Sequence, residues 1–148
     1  MHYARLVLSA LCAFVLLAAA PQARAQGPSV SLEAARAALE TSSHLVFDIR
    51  EADEHATGVA PGARLLPLSQ LGKRLAELPA PNKQPFLIIC NTQNRSARVV
   101  EQLRASGYTN ASVVKGGMSL WAERGWTMVK PPAAKASPMR LDRTATAH

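Results

Sequence analysis

The stretch PFLIICNTQNRSARVVEQL, residues 85–103, joins an apolar run to a helical pattern through a single cysteine. Phe86 to Ile89 is apolar without alternation, which is typical of a strand covered on both faces in a parallel sheet. A helix is predicted from Ser96 to Ser106, because apolar residues recur at helical spacing and Gly107 can end it. Its predicted inward side chains are Ala97, Val100, Leu103 and the stem of Arg104. The stretch therefore predicts a strand, a tight loop that begins at Cys90, and a helix.

Similar patterns along the chain predict alternating helices and strands. The remaining predicted helices run from Ser31 to Thr41, from Leu68 to Leu78 (with Leu71, Leu75 and Leu78 inward), and from Met118 to Gly125. The remaining predicted strands run from Leu45 to Ile49, from Ala63 to Leu66 and from Ala111 to Val114. This alternation predicts the α/β class, with a mostly parallel central sheet flanked by helices in one domain over residues 31–129.

The N-terminus has the pattern of a secretory signal peptide over residues 1–25. Arg5 precedes a short apolar core, and the small-residue pattern at Ala23 and Ala25 predicts cleavage after Ala25. This pattern favours a signal peptide over an uncleaved membrane anchor or a buried helix. We therefore expect a periplasmic or secreted protein without a stable membrane anchor after cleavage. Cys12 leaves with the signal, so Cys90 is the only cysteine of the mature chain.

The charge distribution argues against a nucleic-acid interface. The chain has 17 Lys and Arg against 10 Asp and Glu, but much of the excess lies in the signal segment and after Met128. No basic stripe interleaved with aromatic residues is present. Residues 130–148 are rich in Ala, Pro and charge, so we predict a disordered tail.

The isolated cysteine has three interpretations: a reactive thiol, a partner in an intermolecular disulfide, or a small buried hydrophobe. Its predicted position favours the first, because ligand sites in open α/β sheets lie at the carboxyl ends of strands. A helix N-terminus there would stabilise a thiolate, and loop amides could surround the sulfur. Arg95 adds a fixed positive charge that can bind an oxyanion.

Four motifs resemble the single-domain rhodaneses, a sulfurtransferase family, over roughly residues 32–126. Asp48 and Arg50 match a D-x-R strand end, and GVAPGA, residues 58–63, resembles GHIPGA. CNTQNRSA, residues 90–97, resembles the CxxGNRSxxA active loop, and GGMSLWAERGW, residues 116–126, resembles a GG-W-G ending. The resemblance implies a rhodanese-like α/β domain.

The resemblance also implies a mechanism in which Cys90 takes the outer sulfur of thiosulfate or a similar donor as a persulfide. Cys90 then passes the sulfur to a thiophilic acceptor, either a small molecule or a thiol-containing protein. The predicted substrate-binding residues of the active loop are Asn91, Thr92, Gln93, Asn94 and Arg95. Arg95 would orient the donor oxyanion or organise the loop, and neither a metal nor an organic cofactor is expected.

Loop length separates this pattern from the phosphatases and arsenate reductases that share the fold. Four residues lie between Cys90 and Arg95, where those enzymes carry five, and the smaller ring suits a sulfur atom better than a phosphate. Gln93 departs from the usual glycine and would cost roughly 1 kcal/mol in a left-handed conformation. Val59 and Ala60 replace the family's His and Ile at positions that we interpret as structural.

The other polar candidates have plainer interpretations. Asp48 and Arg50 are predicted to brace the loop as structural support rather than to act chemically. The remaining candidates are a solvated acidic turn (Glu51, Asp53, Glu54), surface histidines (His44, His55), and core or rim residues (Met118, Trp121, Trp126). An alternative function stays open: a non-catalytic module of the same fold that binds sulfane sulfur or a thiol partner through Cys90.

Overall fold

A computed structural model describes residues 28–131. The predicted signal peptide, including Cys12, lies outside the described residues, and so does the predicted tail apart from residues 130 and 131. Within the described part, no helix is both long enough and apolar enough to cross a membrane.

The described residues form a five-stranded sheet with helices on both faces. The strands are β1 (Ser29–Val30), β2 (Leu45–Asp48), β3 (Arg64–Leu65), β4 (Phe86–Ile89) and β5 (Ala111–Val114). The helices are α1 (Leu32–Thr41), α2 (Ala52–Thr57), α3 (Leu68–Leu71), α4 (Asn94–Ala105) and α5 (Gly117–Glu123), with a 3₁₀ turn at Leu75–Glu77. The strand order is β1-β5-β4-β2-β3, and every pair is parallel. The predicted α/β class with a mostly parallel sheet is confirmed.

The central strand β4 is buried on both faces, as its continuous apolar sequence predicts. Phe86 and Ile88 pack into one core cluster with α4, while Leu87 and Ile89 pack into a second cluster with α1 and α5. All four residues are at most 5% exposed. The chain therefore leaves the sheet at Cys90 from a rigid, fully covered strand.

Two further elements follow from local sequence chemistry. The Ser31 side chain accepts a hydrogen bond from the Ala34 N–H at 3.2 Å and caps α1, where the predicted helix begins. β1 was not predicted, because two residues carry too little pattern. It pairs Ser29 with Val113 at the edge of the sheet.

Three helical predictions need correction. The predicted helix over residues 68–78 is wrong: α3 ends at Leu71, a turn follows, and Leu75 is 36% exposed in the 3₁₀ segment. Gly72 at the break weakens helix continuation, because glycine has a high backbone entropy cost. The helix after Cys90 begins at Asn94, two residues before the predicted start at Ser96. Its inward face includes Val99 instead of the exposed Ala97, together with the predicted Val100 and Leu103.

Candidate active site

Cys90 follows β4 directly and lies beside the first turn of α4. The residue is 1% exposed and is a free thiol. The Ser96 N–H donates to Sγ at 3.4 Å, and the thiol donates to the Ser96 hydroxyl at 3.4 Å. Because the first N–H groups of a helix lack partners within the helix, they can stabilise a negatively charged sulfur. The helix start therefore supplies a polar environment for Sγ in an otherwise apolar interior.

The N-terminal end of α5 holds the beginning of the Cys90 loop. The Met118 N–H donates to the Cys90 carbonyl at 2.8 Å, and the Ser119 N–H donates to the Asn91 carbonyl at 2.9 Å. Gly117 makes this approach possible: at φ +62°, an added Cβ would lie 2.4 Å from the Asn91 oxygen and 2.5 Å from the Cys90 oxygen. Real Cβ atoms essentially never come this close to backbone, so only glycine fits. The second glycine of the GG motif thus has a structural cause.

Gln93 adopts a backbone conformation that favours glycine, with φ 139° and ψ −12°. A side chain held in such a positive-φ conformation costs about 1–3 kcal/mol. The Gln93 carbonyl accepts hydrogen bonds from the Ala97 N–H at 2.8 Å and from the Ser96 hydroxyl at 2.9 Å. The side chain oxygen Oε1 accepts a hydrogen bond from the Gly116 N–H at 3.0 Å. Sequence reasoning did not anticipate this contact with the β5–α5 turn.

Arg95 is paired with an acid that comes 41 positions earlier in the chain. Its two terminal nitrogens donate to the Glu54 carboxylate at 2.7 and 2.6 Å. These hydrogen bonds lower the pKa of Glu54 to about 2, against the opposing effect of burial, and they raise the pKa of Arg95. The pair ties the first turn of α4 to α2, a contact suited to the loop-organising role.

The predicted solvated turn at residues 51–54 is therefore wrong for its two glutamates. Glu54 pairs with Arg95, and Glu51 accepts hydrogen bonds from the Ser69 N–H at 3.0 Å and the Ser69 hydroxyl at 2.7 Å. Asp53 is exposed, as predicted. Within residues 28–131, no cluster of three or more His, Cys, Asp or Glu side chains is arranged to hold a metal ion.

Asp48 and Arg50 form a buried ion pair at the end of β2. The Arg50 guanidinium donates to Asp48 Oδ2 at 2.7 Å and to the Gly58 carbonyl at 2.8 Å. His55 is 4% exposed, so its predicted surface position is wrong; Nε2 lies 3.4 Å from Asp48 Oδ1, without hydrogen-bond geometry. Arg50 also donates to the backbone carbonyl of Glu54, whose side chain pairs with Arg95 in the Cys90 loop. Structural support by Asp48 and Arg50 stays a prediction.

The rest of the loop faces solvent. Asn91, Thr92 and Asn94 are exposed, and their side chains make no hydrogen bonds within the described residues. The structure thus places all five predicted substrate-binding residues in one segment around Cys90, with two of them, Gln93 and Arg95, engaged by neighbouring elements. Their role toward a substrate stays a prediction.

A protein-family model described as a Rhodanese-like domain matches residues 31–124. The chain belongs to the rhodanese family. Human thiosulfate:glutathione sulfurtransferase is 30% identical over 112 residues, covering 68% of this chain and 97% of the relative. A sulfurtransferase of Allochromatium vinosum is 32% identical over 92 residues, covering 62% of this chain and 84% of that protein. The solved human single-domain sulfurtransferase TSTD1 matches with a TM-score of 0.57 at 27% identity, covering 66% of this chain and 97% of that one.

The remaining candidates have packing positions in this rhodanese domain. Met118 and Trp121 are core residues, as predicted, and Trp121 packs edge-on against Trp126 with ring centroids 4.9 Å apart. Trp121 also borders a cavity of about 480 Å³ whose lining residues include none of the Cys90 loop. His44 is half-buried before β2, where its ring lies 3.2 Å from the Ser43 hydroxyl.

Proposed function

We propose that this rhodanese is a sulfurtransferase that carries a sulfane sulfur on Cys90 as a persulfide. The observation that carries the proposal is the position of Sγ at the start of α4, where the Ser96 N–H donates to it. This donor stabilises the Cys90 thiolate, which is the nucleophile that takes up the sulfur and the leaving group when the sulfur is passed on. The sulfurtransferase names of the relatives support the same chemistry.

The first half-reaction loads the sulfur. The Cys90 thiolate attacks the outer sulfur of thiosulfate, or of a similar sulfane donor, and a new S–S bond forms. The S–S bond of the donor breaks, and sulfite leaves with the electron pair. No electron acceptor is needed, because the S–S bond of the donor is exchanged for the S–S bond of the persulfide.

The second half-reaction discharges the sulfur. A nucleophilic acceptor such as cyanide, a small thiolate or the thiolate of a protein attacks the outer sulfur of the persulfide. The bond to Cys90 breaks, and the cysteine thiolate leaves. The loop suits a single sulfur atom, since four residues separate Cys90 from Arg95 and the Cys90 residue is only 1% exposed. A tetrahedral phosphate would need a wider ring.

The test compares purified protein with Cys90→Ala and the similarly sized Cys90→Ser in thiosulfate:cyanide turnover. We expect turnover only with the cysteine, because neither alanine nor serine can form a persulfide. Mass spectrometry after thiosulfate treatment should show the addition of one sulfur atom on Cys90. Equal turnover by wild type and both variants would refute the proposal that the protein is a sulfurtransferase. A sulfur adduct without turnover would instead favour a sulfane-binding module.

We also propose that the protein acts outside the cytoplasm. The support is the signal-like pattern of residues 1–25, with a charged start, an apolar core and small residues before Gln26. The measurement is N-terminal peptide mapping of the protein recovered from periplasmic and cytoplasmic fractions. A periplasmic chain that begins at Gln26 is expected, and a cytoplasmic chain that retains the apolar segment would contradict the proposal.

A further inference from the structure

Gln93 spans from the middle of the Cys90 loop to the β5–α5 turn. Its Oε1 accepts a hydrogen bond from the Gly116 N–H at 3.0 Å. Gly116 precedes Gly117, whose backbone packs against the carbonyls of Cys90 and Asn91. The Gln93 side chain therefore ties the loop to the same turn that holds its first residues. This bridge joins two parts of the site that are 23 residues apart in sequence.

The bridge adds to the hydrogen bonds that hold the Cys90 loop. Ser96 bonds to Sγ on the helix side and, through its hydroxyl, to the Gln93 carbonyl. The α5 end bonds to the Cys90 carbonyl, and the Gln93 side chain links the loop to the turn before α5. Sγ belongs to a residue that is only 1% exposed. Because Cys90 is almost fully covered, a bulky reagent can reach the sulfur only if the loop moves, and the Gln93 bridge restrains that movement.

Gln93 is also the loop residue whose conformation needs the strongest external support. Its φ of 139° is unfavourable for a side-chain-bearing residue, and such conformations persist where surrounding contacts determine them. Within the described residues, the neighbouring exposed side chains of Asn91, Thr92 and Asn94 make no comparable hydrogen bond. Gln93 is thus the side chain that ties the middle of the loop to the β5–α5 turn, whereas Arg95 ties its end to α2.

We propose that Gln93 is a positioning residue that sets the size of the donors and acceptors that reach Cys90. With the bridge closed, small molecules such as thiosulfate or cyanide are admitted in preference to bulky persulfides and protein thiols. This inference rests on the proposed function for its biological meaning, since the substrates are those of sulfur transfer. The size selection itself concerns access to a thiol and can be measured without any sulfur transfer.

The test measures alkylation of Cys90 by iodoacetamide, which is small, and by a fluorescein maleimide, which is bulky. The readout is the ratio of the two rate constants, because both reagents react with the thiolate and a change in its population cancels. In Gln93→Ala and Gln93→Gly we expect the bulky reagent to react about tenfold faster, equivalent to about 1.4 kcal/mol. The small reagent should gain less than about threefold on the same scale.

Three further variants make the test specific. Gln93→Glu keeps an acceptor oxygen for the Gly116 N–H, so it should retain the wild-type ratio. Gln102→Ala removes a glutamine from the exposed side of α4 and should also leave the ratio unchanged. Gln93→Gly relieves the positive φ and therefore serves as the bridge-free variant if Gln93→Ala folds poorly.

The outcomes separate this inference from the sulfurtransferase proposal. The size selection is supported if the ratio of maleimide to iodoacetamide rate constants rises in Gln93→Ala and Gln93→Gly and stays at the wild-type value in Gln93→Glu. This holds even if the protein shows no sulfurtransferase turnover. Equal acceleration of both reagents in the bridge-free variants overturns it, because the effect would then come from general loosening, and so does an unchanged ratio in those variants. Cys90-dependent turnover together with an unchanged ratio of alkylation rates would support the sulfurtransferase proposal and refute the size selection by Gln93.

Discussion

Substitution of Gly117 by alanine tests how the start of the Cys90 loop is held. A Cβ at this position would lie 2.4 and 2.5 Å from two backbone oxygens of the loop, so the loop and α5 must move apart. The left-handed backbone alone costs an alanine about 1 kcal/mol. Separation would also weaken the hydrogen bonds from the Met118 and Ser119 N–H groups, each worth about 1 kcal/mol. We therefore expect Gly117→Ala to lose about 3 kcal/mol, or a melting temperature lower by about 10–20 °C.

Gly125→Ala is the matched control for this prediction. Gly125 has φ +65°, close to the +62° of Gly117, but an added Cβ there meets no atom within 4 Å. It should therefore lose only the backbone term of about 1 kcal/mol. Urea unfolding followed by circular dichroism measures both variants without relying on tryptophan fluorescence, which would respond to Trp126 beside the control site. Equal losses in the two variants would refute the close approach as the constraint.

Three other predictions concern the polar contacts around the loop. Hydrogen bonds from Arg95 hold the pKa of Glu54 at about 2, below its ordinary 4.5, so the carboxylate stabilises the fold above pH 4.5 and this contribution is lost as the pH falls toward 2. After allowance for solvent screening, urea titrations should show that wild type loses about 1 kcal/mol more than Glu54→Gln across this window, and parallel curves would contradict the pairing. Asp48→Asn leaves the buried Arg50 charge without its charged partner and should lower the free energy of unfolding, measured in urea, by about 3 kcal/mol. A decrease of less than about 1 kcal/mol would be inconsistent with a buried ion pair. Ser96→Ala should lower stability by about 1 kcal/mol but keep the backbone N–H on the sulfur, so sulfur loading seen by mass spectrometry should persist; its disappearance would assign the hydroxyl an essential role.

The sequence predicted the parts of the fold that depend on local pattern. The uniform apolar run Phe86–Ile89 predicted a buried parallel strand, and the observed strand has the same bounds. The Ser31 cap and the positive φ of Gly107 mark helix ends that follow from single-residue chemistry. Cys90 at the end of the strand was predicted for the same reason, because it depends only on where the apolar run stops.

Contacts between distant segments were not predictable from those patterns. Glu54 looks like one of three acids in an exposed turn, and only the packing of α2 against α4 brings it to Arg95. His55 has no sequence signal for burial, yet α2 turns it toward Asp48. The leucine spacing after residue 68 fits a helix, but the chain breaks at Gly72 and leaves Leu75 exposed. A capping signal was present for α2, since an acid at Glu51 precedes Glu54 by three residues.

The isolated thiol and the constrained loop have a common chemical logic. A persulfide is discharged by any thiolate that reaches its outer sulfur, and a neighbouring cysteine would convert it to a disulfide. Cys90 is the only cysteine within residues 28–131, and it is 1% exposed. Isolation removes the internal competitor, while the Gln93 bridge would limit the external ones. A strained glutamine where glycine would fit more easily is therefore understandable if exclusion of large thiols outweighs the stability that the strain costs.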